Sequence, residues 1–298
     1  MTEVRTYYGR SVVRAPVWKW FVPAYFFTGG VAAGSALIVV GARATGDHRL
    51  ARRCGLASSA ALAVSGALLI ADLGRPARFL NMLRVAKVTS PMSVGTWLLT
   101  AFGTAMAAAA AGELTGIGRR AGRVAEGVAA LLAPALATYT AVLIADTAVP
   151  AWHDARVELP YVFAGGAAAS SGALAVLLAP DATSVGAVRR LAVGGAVAEL
   201  AAAEMLRRRI GDVGEAYRRG RAKSLTRLAT AATGVGAAVL ALSGRRRAPQ
   251  VAGAVLVLAG AAAERFAVFE AGVESAVDPV FAVAQQRRRL EGAAATVA

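Results

Sequence analysis

Long apolar runs separated by short charged segments fill the chain from about residue 18 to residue 270. They lie at about 18–42, 52–71, 92–112, 125–148, 159–179, 187–206, 225–243 and 250–270. Each approaches the ~20 apolar residues that a helix needs to cross a hydrocarbon core. The pattern predicts an all-α integral membrane protein with eight transmembrane helices. Much of the apolar bulk is Ala and Gly, so single spans are only moderately hydrophobic, and the sixth is the weakest. The densest polar break is Asp72-Leu73-Gly74-Arg75-Pro76-Ala77-Arg78-Phe79, which continues through Arg84, Lys87 and Pro91 to Met92. Charges at the lip of a span are costly unless they pair or serve a site.

Composition agrees with the pattern. The 298 residues are 57% hydrophobic with a mean hydropathy of +0.54, far from a soluble mix. Residues 1–17 hold Arg5, Arg10 and Arg14 but no cleavable-looking apolar region, so the first crossing is expected to stay. One cysteine, Cys54, forms no intrachain disulfide and ligates no iron–sulfur cluster alone. A bis-histidine haem needs two imidazoles at one depth, and His48 and His153 fall in loops on opposite sides by the span count. The expectation is a chain with no metal, haem or cluster of its own.

An even span count puts both termini on one side, and 21 of the 33 lysines and arginines fall there. The positive-inside rule then makes the termini cytoplasmic, in the cell membrane. Most of the excess sits between Arg207 and Arg227. The formal charge of +15 reads as this topology signal and as contact with anionic lipid, not as nucleic-acid binding. All four tryptophans, Trp18, Trp20, Trp97 and Trp152, also fall on the terminus-bearing side, as do Tyr7, Tyr8 and Tyr217. An ordinary aromatic belt decorates both interfaces. A one-sided set points to a site or a partner on that face.

An internal echo organises the spans. Phe27-Thr28-Gly29-Gly30-Val31-Ala32-Ala33 is matched by Phe163-Ala164-Gly165-Gly166-Ala167-Ala168-Ala169, and Ala71-Asp72 by Ala203-Glu204. Two four-helix bundles repeated in parallel fit this spacing. The corresponding division is an N-terminal segment 1–17, a first bundle 18–148 with polar loop 72–91, a second bundle 149–270 and a tail 271–298.

Three segments together carry a family resemblance. They are Tyr25-Phe26-Phe27-Thr28-Gly29-Gly30-Val31-Ala32-Ala33-Gly34, then Asp72-Leu73-Gly74-Arg75-Pro76-x-Arg78-Phe79, then Ser90-Pro91-Met92-Ser93-x-Gly95-x-Trp97. With Tyr139-Thr140-x-x-Leu143 and Val149-Pro150-x-Trp152, they resemble the NrfD/PsrC family over roughly the first 180 residues. These are the membrane subunits of polysulfide reductase-like molybdoenzyme complexes. The resemblance implies an eight-span, haem-free, quinone-reactive anchor. Its partners would be a ferredoxin-like iron–sulfur subunit and, through it, a molybdopterin catalytic subunit. Electrons would pass between the partner's cluster and an exchangeable menaquinone or ubiquinone. In the better-known members the docking face lies outside the cytoplasm, whereas the charge count here puts it inside.

A quinone site needs an apolar slot, donors to two carbonyl oxygens and a route for protons. The family's tyrosine in span four is implicated in quinone binding, which makes Tyr139 the first candidate. Asp146, seven residues on and on the same face, is the candidate proton carrier. Some members place a histidine in span one; here Trp18, Lys19 and Tyr25 occupy that region, with Trp18, Phe21 and Tyr25 on one face. Asp72, Arg75 and Arg78 either shape the quinone mouth and meet a partner, or simply hold their loop as an Asp–Arg pair. His153 is a relay or a solvated loop histidine. Glu199, Glu204 and Glu264 with Arg265 are ionisable groups at membrane depth, either a polar pathway or a structural pairing of Glu264 with an arginine. Glu126 with Arg119, Arg120 and Arg123 reads as a far-side topology signal, and Arg287-Arg288-Arg289 as a solvated run. Two rival classes stay open: a haem-free transporter or ion-translocating subunit, and a passive anchor without quinone chemistry.

Overall fold

The computed structural model describes residues 13, 16–75, 77–179, 181–281 and 283. Arg5, Tyr7, Tyr8, Arg10, Arg14, Pro76 and the Arg287-Arg288-Arg289 run lie outside the described residues, as do most of segments 1–17 and 271–298. The described chain is helical, with no strand. In order it forms α1 (Phe21–Ala44), α2 (His48–Asp72), a short α3 (Ala77–Leu83), α4 (Pro91–Thr115) and α5 (Arg119–Ala145). A short α6 (Pro150–His153), α7 (Leu159–Leu178) and α8 (Ala182–Arg209) follow. A 3-10 turn (Gly211–Arg218), α9 (Gly220–Leu242) and α10 (Arg247–Val277) complete it.

Local chemistry sets the helix ends. The Asp47 carboxylate accepts the Leu50 amide at 2.9 Å and caps α2. Ser90 caps α4, with Pro91 in the first turn where its missing N–H costs nothing. Gly116, at φ 75°, ends that helix in the left-handed conformation that glycine adopts freely.

Among the described residues, seven helices are long and apolar enough to cross a membrane: α1, α2, α4, α5, α7, α9 and α10. The eight-crossing expectation is met to that extent. The exception is α8, whose 28 residues include Arg189, Arg190, Glu199, Glu204 and Arg207. Its apolar run is too interrupted to qualify on composition. Even so, α8 lies antiparallel along α7, with Gly165 against the Glu199 backbone and Gly172 against Ala192.

At the centre α1 and α7 run side by side in parallel, and two thirds of each apolar window is buried. Gly30 faces Ala167, Gly34 faces Ser171, and the Phe26 and Phe163 rings stand 5.7 Å apart. The two echoed segments are therefore direct neighbours. Small residues permit that approach, as they do between helices in lipid. Around this axis α1 pairs with α2 and packs on α5, while α7 pairs with α8 and packs on α10. The α4–α5 and α9–α10 pairs complete the ring. Of the seven, α2 is the least covered by the rest of the chain, with 17% of its apolar stretch buried.

The buried apolar residues form distinct cores. One, at the terminus-bearing end, is aromatic and draws on both echoed parts of the chain: Tyr25, Phe26, Trp152, Phe163, Tyr217, Phe269 and Phe281. Another, at the far end, is aliphatic, with Ile38, Leu50, Val176, Val188, Leu240 and Val257. A third fills the space between α1, α4 and α5. Far-end arginines tie the helix ends together. Arg247 donates to the carbonyls of Val176 and Leu177 at 2.7 and 2.8 Å, and Arg53 to Leu178 at 2.8 Å. Arg43 grips Glu126 with Nε–Oε2 2.5 Å and Nη2–Oε1 2.6 Å, and reaches Glu113 at 3.2 Å. Glu126 is thus buried in an ion pair, which corrects its reading as an interfacial topology charge.

Candidate functional site

Terminus-side ends of six long helices converge on the aromatic core, and the residues singled out from sequence divide there into three groups. The first is a pair of phenols. Tyr25, one turn into α1, is buried at 2% exposure and its hydroxyl donates to the Tyr139 hydroxyl of α5 at 3.1 Å. Tyr139 is half-buried. Its ring lies over Gly95 of α4, where a Cβ atom would overlap the ring itself. Glycine at this one position lets α4 and α5 close on the phenol. Because Tyr25 is the donor, the Tyr139 proton is left for another acceptor.

Trp18 and Trp152 form the second group. Their rings stack at 5.7 Å with 22° between planes. Trp152 is wholly buried in α6, donates Nε1–H to the Val268 carbonyl at 2.8 Å and presses against Gly272 of α10. The segment ahead of α1 is thereby anchored on α10 through α6. The Ala151 amide adds a bond to Ser275 Oγ at 3.1 Å. His153 sits half-buried at the end of α6, its Nδ1 3.3 Å from the Ala145 carbonyl, so it is not a free loop residue.

The third group is the loop over this end. Asp72, the last residue of α2, is half-buried, while Arg75 and Arg78 are exposed. Arg78 turns back onto the Leu73 carbonyl at 3.0 Å. Among the described residues Asp72 makes no ion pair with either arginine, so an Asp–Arg pair does not hold this loop. Ser93 does: its hydroxyl donates to the Val85 carbonyl at 2.7 Å and accepts the Lys87 amide at 3.0 Å. Trp97 Nε1 also reaches Val85, at 3.2 Å. The Pro-Met-Ser segment is thus the fastener of the polar loop. Asp146 stands exposed as the C-cap of α5. Seven residues put it about 10 Å along the helix from Tyr139, beyond direct hydrogen bonding.

Sequence reading did not foresee the partner choices deeper in the chain. Arg265 of α10 pairs with Glu199 of α8 at 3.4 Å, donates to the Phe163 carbonyl at 2.9 Å and places its guanidinium 4.1 Å from the Phe163 ring centroid. Glu264, open from sequence between a polar pathway and a structural pairing with an arginine, is buried within the electrostatic reach of Arg207 and Arg265. Gly166 makes room for the Arg265–Glu199 pair, since a Cβ there would strike both side chains. Glu158 is a further buried carboxylate, held by Arg209 at 2.6 Å. Glu204 is exposed and serves Arg207 and Arg208 on its own helix, a surface pair rather than a buried one. Among the described residues no cluster of His, Cys, Asp and Glu is arranged to hold a metal ion.

Fold and site together define a polytopic helical membrane protein whose aromatic face gathers ends from both echoed parts of the chain. Residues 11–207 match the family described as "Polysulphide reductase, NrfD", about two thirds of the chain, and the protein belongs to that family. Its members are membrane subunits of oxidoreductase complexes. No protein of curated function matches the chain.

Proposed function

We propose that this chain is the quinone-reactive membrane anchor of a molybdopterin/iron–sulfur oxidoreductase complex. It passes electrons between a partner iron–sulfur subunit and membrane quinone. The observation that carries the reading is the Tyr25–Tyr139 pair set into the aromatic core below the Asp72–Arg78 loop. Quinone supplies the two-electron, two-proton chemistry when bound. The chain supplies the rest. Tyr139 presents an uncommitted hydroxyl proton to a carbonyl oxygen, Tyr25 orients that hydroxyl from behind, and Gly95 fixes the ring. The fit is one of donor chemistry: a neutral phenol pair in an apolar setting suits a neutral ring with two acceptor oxygens. Tyr25 thus does from α1 what a histidine does in some relatives. Trp18 packs on the same aromatic core, and Asp72 and Asp146, at the terminus-side ends of α2 and α5, are assigned the part of proton carriers to and from water.

The polar loop fits the docking role. Arg75, Arg78, Arg84 and Lys87 are exposed beside Leu80, Val85 and Val88, the last 89% exposed. A cationic surface with apolar residues between the charges suits an acidic partner subunit. For the spans, α8 completes an eighth crossing, because it is coextensive with α7, and the helices then form two four-helix bundles in parallel repeat. Termini are cytoplasmic in the plasma membrane.

Affinity purification of the chain from its native membrane tests the partner. A cysteine-rich ferredoxin-like protein is expected with it, and recovery of the chain alone would overturn the anchor role. A photoactivatable quinone should label the peptide containing Tyr139; labelling only elsewhere would remove the site. A second reading, ion translocation, is favoured by the Glu199–Arg265–Glu264 cluster at membrane depth. Ion flux through proteoliposomes that survives Tyr139→Phe and is abolished by Glu199→Gln would select it.

A further inference from the structure

A cavity of about 560 Å³ opens where the end of α8, the 3-10 turn and the start of α9 meet. It is separate from the phenol pair. Five cationic side chains line it, Arg207, Arg208, Arg218, Lys223 and Arg227, against two carboxylates, Glu204 and Glu215. Both carboxylates are already engaged: Glu204 holds Arg207 at 3.4 Å and Arg208 at 2.6 Å, and Glu215 stands 3.8 Å from Arg218. Among the described residues no carboxylate lies within ion-pair distance of Lys223 or Arg227.

Three buried polar atoms without a hydrogen-bond partner belong to residues lining this same cavity: Arg207 Nη1, the Tyr217 hydroxyl and Thr226 Oγ1. Behind them the buried carboxylate of Glu264 lies within electrostatic reach of Arg207 and Tyr217, which still leaves five cations against three carboxylates around the cavity. Tyr217 is 2% exposed. A buried polar group left unpaired is costly, so three around one cavity favour a ligand that completes the bonding. The set is a guanidinium N–H and two hydroxyls ringed by surplus positive charge. It is built for an oxyanion with several acceptor oxygens.

We propose that this cavity is a phosphate site, filled by the phosphodiester of an anionic lipid headgroup or by a free phosphate. Arg207, Tyr217 and Thr226 donate from the floor, and Lys223 and Arg227 close over it from α9. The carboxylates keep Arg207, Arg208 and Arg218 in place. A bound headgroup would bridge α8 and α9, fixing the 3-10 turn between them.

The test uses the full chain in nanodiscs of zwitterionic phosphatidylcholine, with or without phosphatidylglycerol, read by native mass spectrometry and thermal unfolding. Wild type is compared with Lys223→Gln/Arg227→Gln and with Tyr217→Phe. Arg245→Gln/Arg246→Gln, at the opposite end, controls for general charge. Retention of phosphatidylglycerol should fall about tenfold in the α9 pair and several-fold in Tyr217→Phe, with the control unchanged; this supports a headgroup site. If instead inorganic phosphate at ~10 mM raises the melting temperature of wild type but not of the α9 pair, the site is one for free phosphate. The proposal is overturned if neither probe separates wild type from the α9 pair, or if the control pair weakens retention equally.

Discussion

Helix α5 packs on α1, and α10 packs on α7, in matching positions about the central α1–α7 contact, yet the two interfaces hold opposite chemistry. In the first a neutral phenol from each helix meets beneath the surface. In the second, Arg265 of α10 lies against Phe163 of α7 and pairs with Glu199 of α8, all but sealed at 3% and 2% side-chain exposure. A neutral hydroxyl pair exchanges partners at little cost, because each phenol satisfies either the other or a ligand. A buried ion pair is different: losing one charge strands the other. The proposed quinone site and a clamp that cannot let go thus rest on one packing scheme. Each depends on a glycine, Gly95 under Tyr139 and Gly166 beside Arg265.

The clamp should break hardest. Arg265→Met leaves Glu199 uncompensated and is expected to cost about 3–5 kcal/mol of stability, measured by thermal unfolding in detergent. Arg265→Met with Glu199→Leu should recover most of that, and failure to do so would mean that the pair is not the clamp. Gly166→Ala comes next, at about 1–3 kcal/mol, because its methyl group strikes both charged side chains. Gly95→Ala should cost a similar or smaller amount while displacing Tyr139, so that quinone turnover falls further than stability does. Smallest is Tyr25→Phe, about 1 kcal/mol or less in unfolding, with a measurable loss of quinone affinity as Tyr139 loses its orienting bond. If Tyr25→Phe destabilised more than Gly166→Ala, the contrast between the two interfaces would be reversed.

The apolar spans were legible in the sequence because a bilayer imposes a length that no soluble fold demands. Their ends shifted by a few residues, since α5 and α10 begin within arginine runs, at Arg119 and Arg247, that the span reading placed in loops. Glycine-rich segments in spans one and five announced their kinship, but not that they touch. The one-sided tryptophans announced a face, but not the Trp18–Trp152 stack. What stayed hidden was partner choice. Glu199, not the adjacent Glu264, takes Arg265, and Arg43 reaches Glu126 across 83 positions. Such choices follow from the relative register of helices, which one-dimensional periodicity does not encode. Tyr25 and Tyr139 were each visible as candidates; the bond between them was not.

The most direct measurement is quinone turnover by the intact complex carrying Tyr139→Phe, with Tyr25→Phe alongside it. Removing the hydroxyl while keeping the ring should lower kcat/KM for quinone at least tenfold, more than Tyr25→Phe does, with the complex still assembled. An unchanged kcat/KM in Tyr139→Phe would contradict the proposed role of this phenol in quinone chemistry.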